Sequence, residues 1–171
     1  MSVTYTNARG IAFYQPSGGT YFYSNGTDGP AGTSPYTSAQ VDNRPPTADI
    51  VALQYAGTQS LVFSQAIANP VFAFVSLNGN GYGFDQDFDI LSFGDASDGN
   101  VCGYWGCGTS YKQVATVNGK TEYQLLGTGE PHGTLQFKGT FDTVNWRSLS
   151  SENWNGFTVG VQGTAVEYCT A

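Results

Sequence analysis

Apolar residues recur at every second position along most of this chain, and helix-period patterns are nearly absent. That alternation reads as half-buried β-strand. Strands are predicted over residues 11–14 and 20–24, on either side of the turn residues Pro16, Gly18 and Gly19. Further strands are predicted over 49–53, 59–63, 71–77, 88–93, 111–117, 121–126, 133–138, 141–146 and 156–161. The run 71–77 is almost wholly apolar and short, as expected of a central strand buried on both faces. Asn118-Gly119 between two alternating runs is a hairpin signal, because both central residues tolerate positive φ. Residues 25–47 are rich in Gly, Pro, Ser and Thr and read as one long loop, either wrapped on the body or mobile. A short helix is predicted over 150–154. About ten short strands with frequent turns define an all-β chain: a two-sheet antiparallel sandwich, jelly-roll-like, in a single domain over 1–171.

Composition narrows the setting. Only 11% of residues are charged, against ~25% in an average globular protein, while 40% are hydrophobic. A disordered chain would show the reverse balance. Solubility must come from neutral polar side chains and from 23 glycines, a pattern typical of extracellular β proteins. The net charge of −7 repels phosphate backbones and anionic lipid, so neither nucleic acid nor a membrane surface is an expected partner. No apolar run approaches the ~20 residues that span a bilayer. Met1 leads directly into strand-like sequence, so no export signal is read there.

The densest chemistry lies between Gly79 and Cys107. Asp85, Asp87, Asp89, Asp95 and Asp98 fall here among glycines and aromatics, with no Lys or Arg between Arg44 and Lys112. Carboxylates so crowded require a hard cation or open water. Asp85, Asp87 and Asp89 alternate. In a strand they would share one solvated face; in a loop their spacing suits calcium, although it is not an EF-hand loop. The leading reading is a solvated acidic strand end; the competing one is a calcium site on the three carboxylates, calcium being the one cofactor the sequence offers. Cys102 and Cys107 flank a glycine-bounded tip and are predicted to form a local disulfide, with Cys169 left over. Zinc is disfavoured because His132 is the sole histidine.

Tyr82, Tyr104, Trp105 and Tyr111 surround the acidic segment as a candidate sugar platform, where pyranose C–H faces bury against rings and carboxylates bind hydroxyls. The competing reading folds Tyr104 and Trp105 back as a lid. Trp146 and Trp154 sit in alternating sequence and are assigned to the core, with the indole N–H satisfied. Glu130-Pro131-His132 is the only acid–histidine proximity, and His132 reads as a surface residue and not as a catalytic base. Glu130 and Glu152 are the only carboxylate pair considered for glycoside hydrolysis, a property of spatial separation and not of sequence. The Asn25-Gly-Thr27 acceptor motif reads as a turn.

Four blocks carry a resemblance: GTLQFKGTFDTVNW at 133–146, ENWNGFTVGV at 152–161, FSQAIANPVFAFVSL at 63–77 and FDQDFDIL at 84–91. Together they resemble secreted bacterial proteins bearing a C-terminal PEP-CTERM sorting tail. The tail does not follow Ala171 here, and the cysteine pair lies outside the pattern. The resemblance implies export to a bacterial surface or matrix and implies no catalytic constellation. The sequence thus points to a non-catalytic extracellular module that binds carbohydrate or exopolysaccharide, with calcium support. The alternative is a structural surface or matrix protein that assembles with copies of itself.

Overall fold

The computed structural model describes residues 1–24, 34–79, 81–94 and 102–170. Asp95, Asp98 and the Asn25 motif lie outside these residues, as does the side chain of Cys169. The described strands are β1 (Val3–Asn7), β2 (Phe13–Gln15), β3 (Ile50–Leu53), β4 (Gly57–Ala68), β5 (Val71–Val75), β6 (Gly81–Phe84), β7 (Phe88–Phe93), β8 (Gly108–Val117), β9 (Lys120–Gly129), β10 (Gly133–Phe137), β11 (Thr140–Ser148) and β12 (Asn155–Gly160). They form two six-stranded sheets, a front sheet ordered β1-β4-β11-β6-β9-β8 and a back sheet ordered β2-β3-β12-β5-β10-β7. Every described pairing is antiparallel.

From β3 to β8 each strand lies in the opposite sheet to the one before it, and the same holds from β9 to β12. This wrapping is the jelly-roll arrangement expected from the pattern. The orders β4-β11-β6-β9 and β5-β10-β7 are those of an eight-stranded roll. Its remaining strand, β8, pairs instead with β9 as a hairpin in the front sheet. Asn118 and Gly119 turn that hairpin with φ of 52° and 77°, the mirror-image turn that matches strand twist.

Between the sheets lies an aromatic core. Phe72 stacks on Phe157 at 4.9 Å and meets Tyr82, Phe84, Phe137 and Trp146 edge-on. Trp146 is buried as predicted, but its indole N–H has no acceptor among the described residues. Buried Gln59 is satisfied by Tyr5 and by Ser148, the latter at 2.8 Å, which ties β1, β4 and β11 together.

A second cluster covers the outer side of the back sheet. Ile50, Ala73 and Val75 point outward there and are buried by Phe22, Tyr23 and Tyr36. This explains why β5 is apolar on both faces. Residues 20–24, predicted as a strand, form turns instead and deliver Phe22 and Tyr23 as cover. The described part of the long loop is wrapped: Thr134 donates to the Tyr36 carbonyl at 3.0 Å and Ser38 to that of Leu91 at 2.6 Å.

The helix predicted over 150–154 is not formed. That segment is held open by Glu152 N–H donating to the Gln54 carbonyl and by Ser151 accepting from Ala56 N–H. The described helix is α1 (Ala165–Thr170). It opens on a capping box, in which Thr164 N–H donates to Glu167 and Glu167 N–H to the Thr164 hydroxyl.

Trp146→Ala is expected to destabilise the protein by about 3–5 kcal/mol in chemical denaturation, because it removes a buried ring from the hub of the core.

Candidate functional site

The two outer faces of the sandwich differ. The back is covered by the aromatic layer, whereas a groove of about 620 Å³ crosses the outer side of the front sheet. Its lining comes from β1, β4, β11, β6 and β9 and from the β8–β9 turn. Five neighbouring strands set it across the strand direction, a span of about 19 Å at ~4.8 Å per spacing.

The alternation of each strand fixes what the groove offers. Tyr82 and Phe84 of β6 face inward, so Gly81 and Gly83 face outward, where the side chains of Leu126 and Leu149 cover the first and that of Glu122 covers the second. Arg147 and Gln124 are the cross-strand neighbours of Gly83 on either side. Into the space above Gly83 reaches Glu122, whose carboxylate a Cβ at this position would meet at 2.4 Å. Arg147 grips that carboxylate with two bonds, Nε–Oε2 at 2.7 Å and Nη2–Oε1 at 2.9 Å, and Gln124 donates to it at 2.8 Å. One strand end away, Asp85 accepts from the Asn145 backbone N–H at 2.9 Å and side-chain amide at 2.8 Å.

These bonds fix the electrostatics. Arg147 holds the Glu122 carboxyl below its ordinary value, outweighing the opposite push of burial. Among the lining residues Asp85 and Glu122 face Lys120 and Arg147, so the groove is balanced in charge. The chain as a whole carries −7. Glu122, Arg147 and Asn145 were not among the residues expected from sequence. Their signal, outward positions on the two strands that flank β6, depends on knowing which strands are neighbours.

The residues that were expected are dispersed. Tyr82 is a correction: it is wholly buried, donates to Asn155, and its hydroxyl is pushed up by burial and by Glu152. Tyr104 and Trp105 belong to the back layer. Tyr104 meets Phe22 edge-on at 5.1 Å, and Trp105 lies on Phe22 at 6.2 Å while staying half exposed. Trp154 packs in the same layer and not in the inter-sheet core. Tyr111 is exposed on the outer side of β8, in the front sheet. The four rings therefore make no single platform. Cys102 and Cys107 are disulfide-bonded, and Gly103 N–H donates to the Gly106 carbonyl at 2.8 Å, so Tyr104 and Trp105 form a braced two-residue tip.

Asp85, Asp87 and Asp89 do not converge either. Asp87 pairs with Lys112 and lies 3.6 Å from Lys138, which is itself 3.8 Å from Asp89. Burial alone would raise the Asp87 carboxyl, but Lys112, the Phe88 N–H and Lys138 outweigh it and hold it low. Among the described residues no three acidic, histidine or cysteine side chains are gathered as a metal site.

Glu130 and Glu152 are linked by hydrogen bonds at one end of the sandwich. Ser76 donates to Glu130 at 2.7 Å, Asn78 reaches both Ser76 and Glu152, and Asn155 donates to Glu152 at 2.7 Å. Ser76 and Asn78 adopt φ of 57° and 54° to do so, and His132 is buried nearby against the Gly103 backbone. The surface reading of His132 is thereby corrected, because the ring is buried.

No protein-family model, no curated protein and no solved structure matches the chain. Among the described residues no helix is long and apolar enough to cross a membrane.

Two measurements check this geometry. Because the Glu122 carboxyl is lower in the folded state than its ordinary 4.5, its stabilisation is full above that pH and is lost as pH falls through the folded value. Glu122→Gln should therefore cost about 1 kcal/mol at pH 7, and the gap from the parent should close as the pH falls below the ordinary 4.5 and through the lower folded value. Gly83→Ala should mimic this loss, since its methyl group displaces the carboxylate from Arg147.

Proposed function

We propose that this protein is a non-catalytic extracellular module that binds polysaccharide in the groove across its front sheet. One observation carries the reading: an open trough balanced in charge and rimmed by amides and hydroxyls, on a strongly acidic protein. Such a surface suits a neutral, hydroxyl-rich chain, which needs many shallow hydrogen bonds and no fixed countercharge. Arg147 retains outward N–H groups beyond those spent on Glu122, and Asn145, Ser60, Thr58 and Thr6 add donors and acceptors along the same line.

The same bonds support the non-catalytic part of the reading. Glu122 is held ionised by Arg147 and is thus a poor general acid at neutral pH. Asp85 is occupied by Asn145. The reading does not call on calcium, because Asp87 and Asp89 already have lysine partners. An oxidising, exported setting is consistent with the disulfide.

A panel of immobilised glycans, followed by calorimetric titration of the best binder, tests the proposal. Arg147→Ala and Asn145→Ala should each weaken binding about tenfold, the loss of one good hydrogen-bonding group at ~1.4 kcal/mol. Trp105→Ala should leave affinity unchanged. Binding lost on Trp105→Ala but kept in both groove variants would move the site to the back of the molecule.

A further inference from the structure

The four edge strands of the sandwich are not equally protected. β2 has three residues and β1 five, too short to template much pairing. β7 carries the exposed Asp89, and its ladder with β10 is broken by a bulge at Thr134/Leu135. Short edges, charges and bulges are the usual defences against edge-to-edge pairing. β8 has none of these. It runs ten residues in unbroken register from Gly108 opposite Gly129 to Val117 opposite Lys120, without proline. Its one charge, Lys112, turns inward to Asp87 and the Phe88 carbonyl and so does not guard the edge.

The hairpin turn fixes which backbone groups are free. A two-residue turn closes on a hydrogen-bonded pair, here Val117 with Lys120, and such pairs then alternate along the ladder. Ala115, Gln113 and Tyr111 therefore bond to β9, whereas Lys112, Val114 and Thr116 point N–H and C=O away from it. None of these three has a further backbone partner among the described residues. Val114 stands opposite Tyr123 on the inner side of the sheet yet is 58% exposed, so the end of the hairpin overhangs the back sheet.

We propose that β8 pairs antiparallel with β8 of a second copy, about a two-fold axis through Val114, so that the two front sheets become continuous. The strand complements itself in this register. Lys112 faces Thr116 and Val114 faces its own copy as hydrogen-bonded pairs, giving about six new backbone bonds. Tyr111 faces Val117 on the outer side, an aromatic–β-branched pair of the kind that stabilises sheets. No like charges oppose each other, because the lone ammonium in this stretch is spent on Asp87. An isologous contact of this kind closes at two copies.

Sedimentation velocity over a concentration series tests the proposal, with Val114→Pro as the decisive variant. Proline there removes an outward N–H and leaves the β9 ladder intact, the one strand setting in which it is tolerated. The parent should double in mass as concentration rises, while Val114→Pro stays at the single-chain mass with a near-parental melting temperature. Val114→Lys, which sets two ammonium groups together on the axis, should also stay single and serves if the proline variant does not fold. In the parent, amide exchange at Lys112, Val114 and Thr116 should slow as concentration rises. A parent that keeps the single-chain mass throughout, or a folded Val114→Pro that dimerises like it, overturns the proposal. Glycan binding by the groove is independent of β8 pairing, so its presence or absence in these variants reports on the other reading alone.

Discussion

The contact on which the rest of the molecule depends is the packing of Phe72 between the sheets. Its ring stacks on Phe157 of the neighbouring strand β12 and receives the edges of Tyr82, Phe84 and Trp146 from the front sheet. Offset and edge-on ring pairs supply both area and geometry, so they set how far apart the sheets lie and how they are aligned. The inward positions of β6 and β11 are thereby spoken for, and strand alternation then dictates what faces out. Arg147 reaches solvent because Trp146 is needed inside, and Gly83 faces outward beneath the Glu122 carboxylate because Phe84 is needed inside.

The two sheets pay for their outer faces differently. The back sheet is apolar on both sides and is sealed by Phe22, Tyr23 and Tyr36, with the disulfide-braced tip of Tyr104 and Trp105 resting on Phe22. The front sheet is polar outward, and among the described residues no such layer covers the groove. A glycan reader and an edge that joins copies would occupy the same sheet without competing. One uses side chains on the outer face and the other uses the backbone of β8.

The acidic segment shows how sequence distance misleads. Read along the chain, Asp85, Asp87 and Asp89 have no cation for more than twenty residues on either side. In the fold, Lys112 comes from β8 and Lys138 from the end of β10, both brought beside β7 by pairing and wrapping. Asp85 is separated from the other two because it leaves the end of β6 and meets Asn145 of β11. Three residues on alternate positions thus serve three partners, Asn145 for Asp85 and the two lysines for Asp87 and Asp89.

The sequence alone determined the features that depend on neighbours along the chain. Period-two alternation gave most of the strands and the all-β sandwich, Asn118-Gly119 gave its hairpin, and the glycine-flanked cysteines gave their disulfide. Local signals also misled. The aromatic alternation of 20–24 became cover for the back sheet, and the helix expected over 150–154 was displaced by bonds to Gln54 and Ala56. The Thr164–Glu167 capping box was legible and went unread. What only the tertiary structure decided is which strands are neighbours. That choice buried Tyr82, parted Tyr111 from Trp105, and set Glu122 against Arg147 above Gly83. Alternation fixes which residues share a face of one strand, but the order of strands in a sheet is set by packing between residues far apart in the chain.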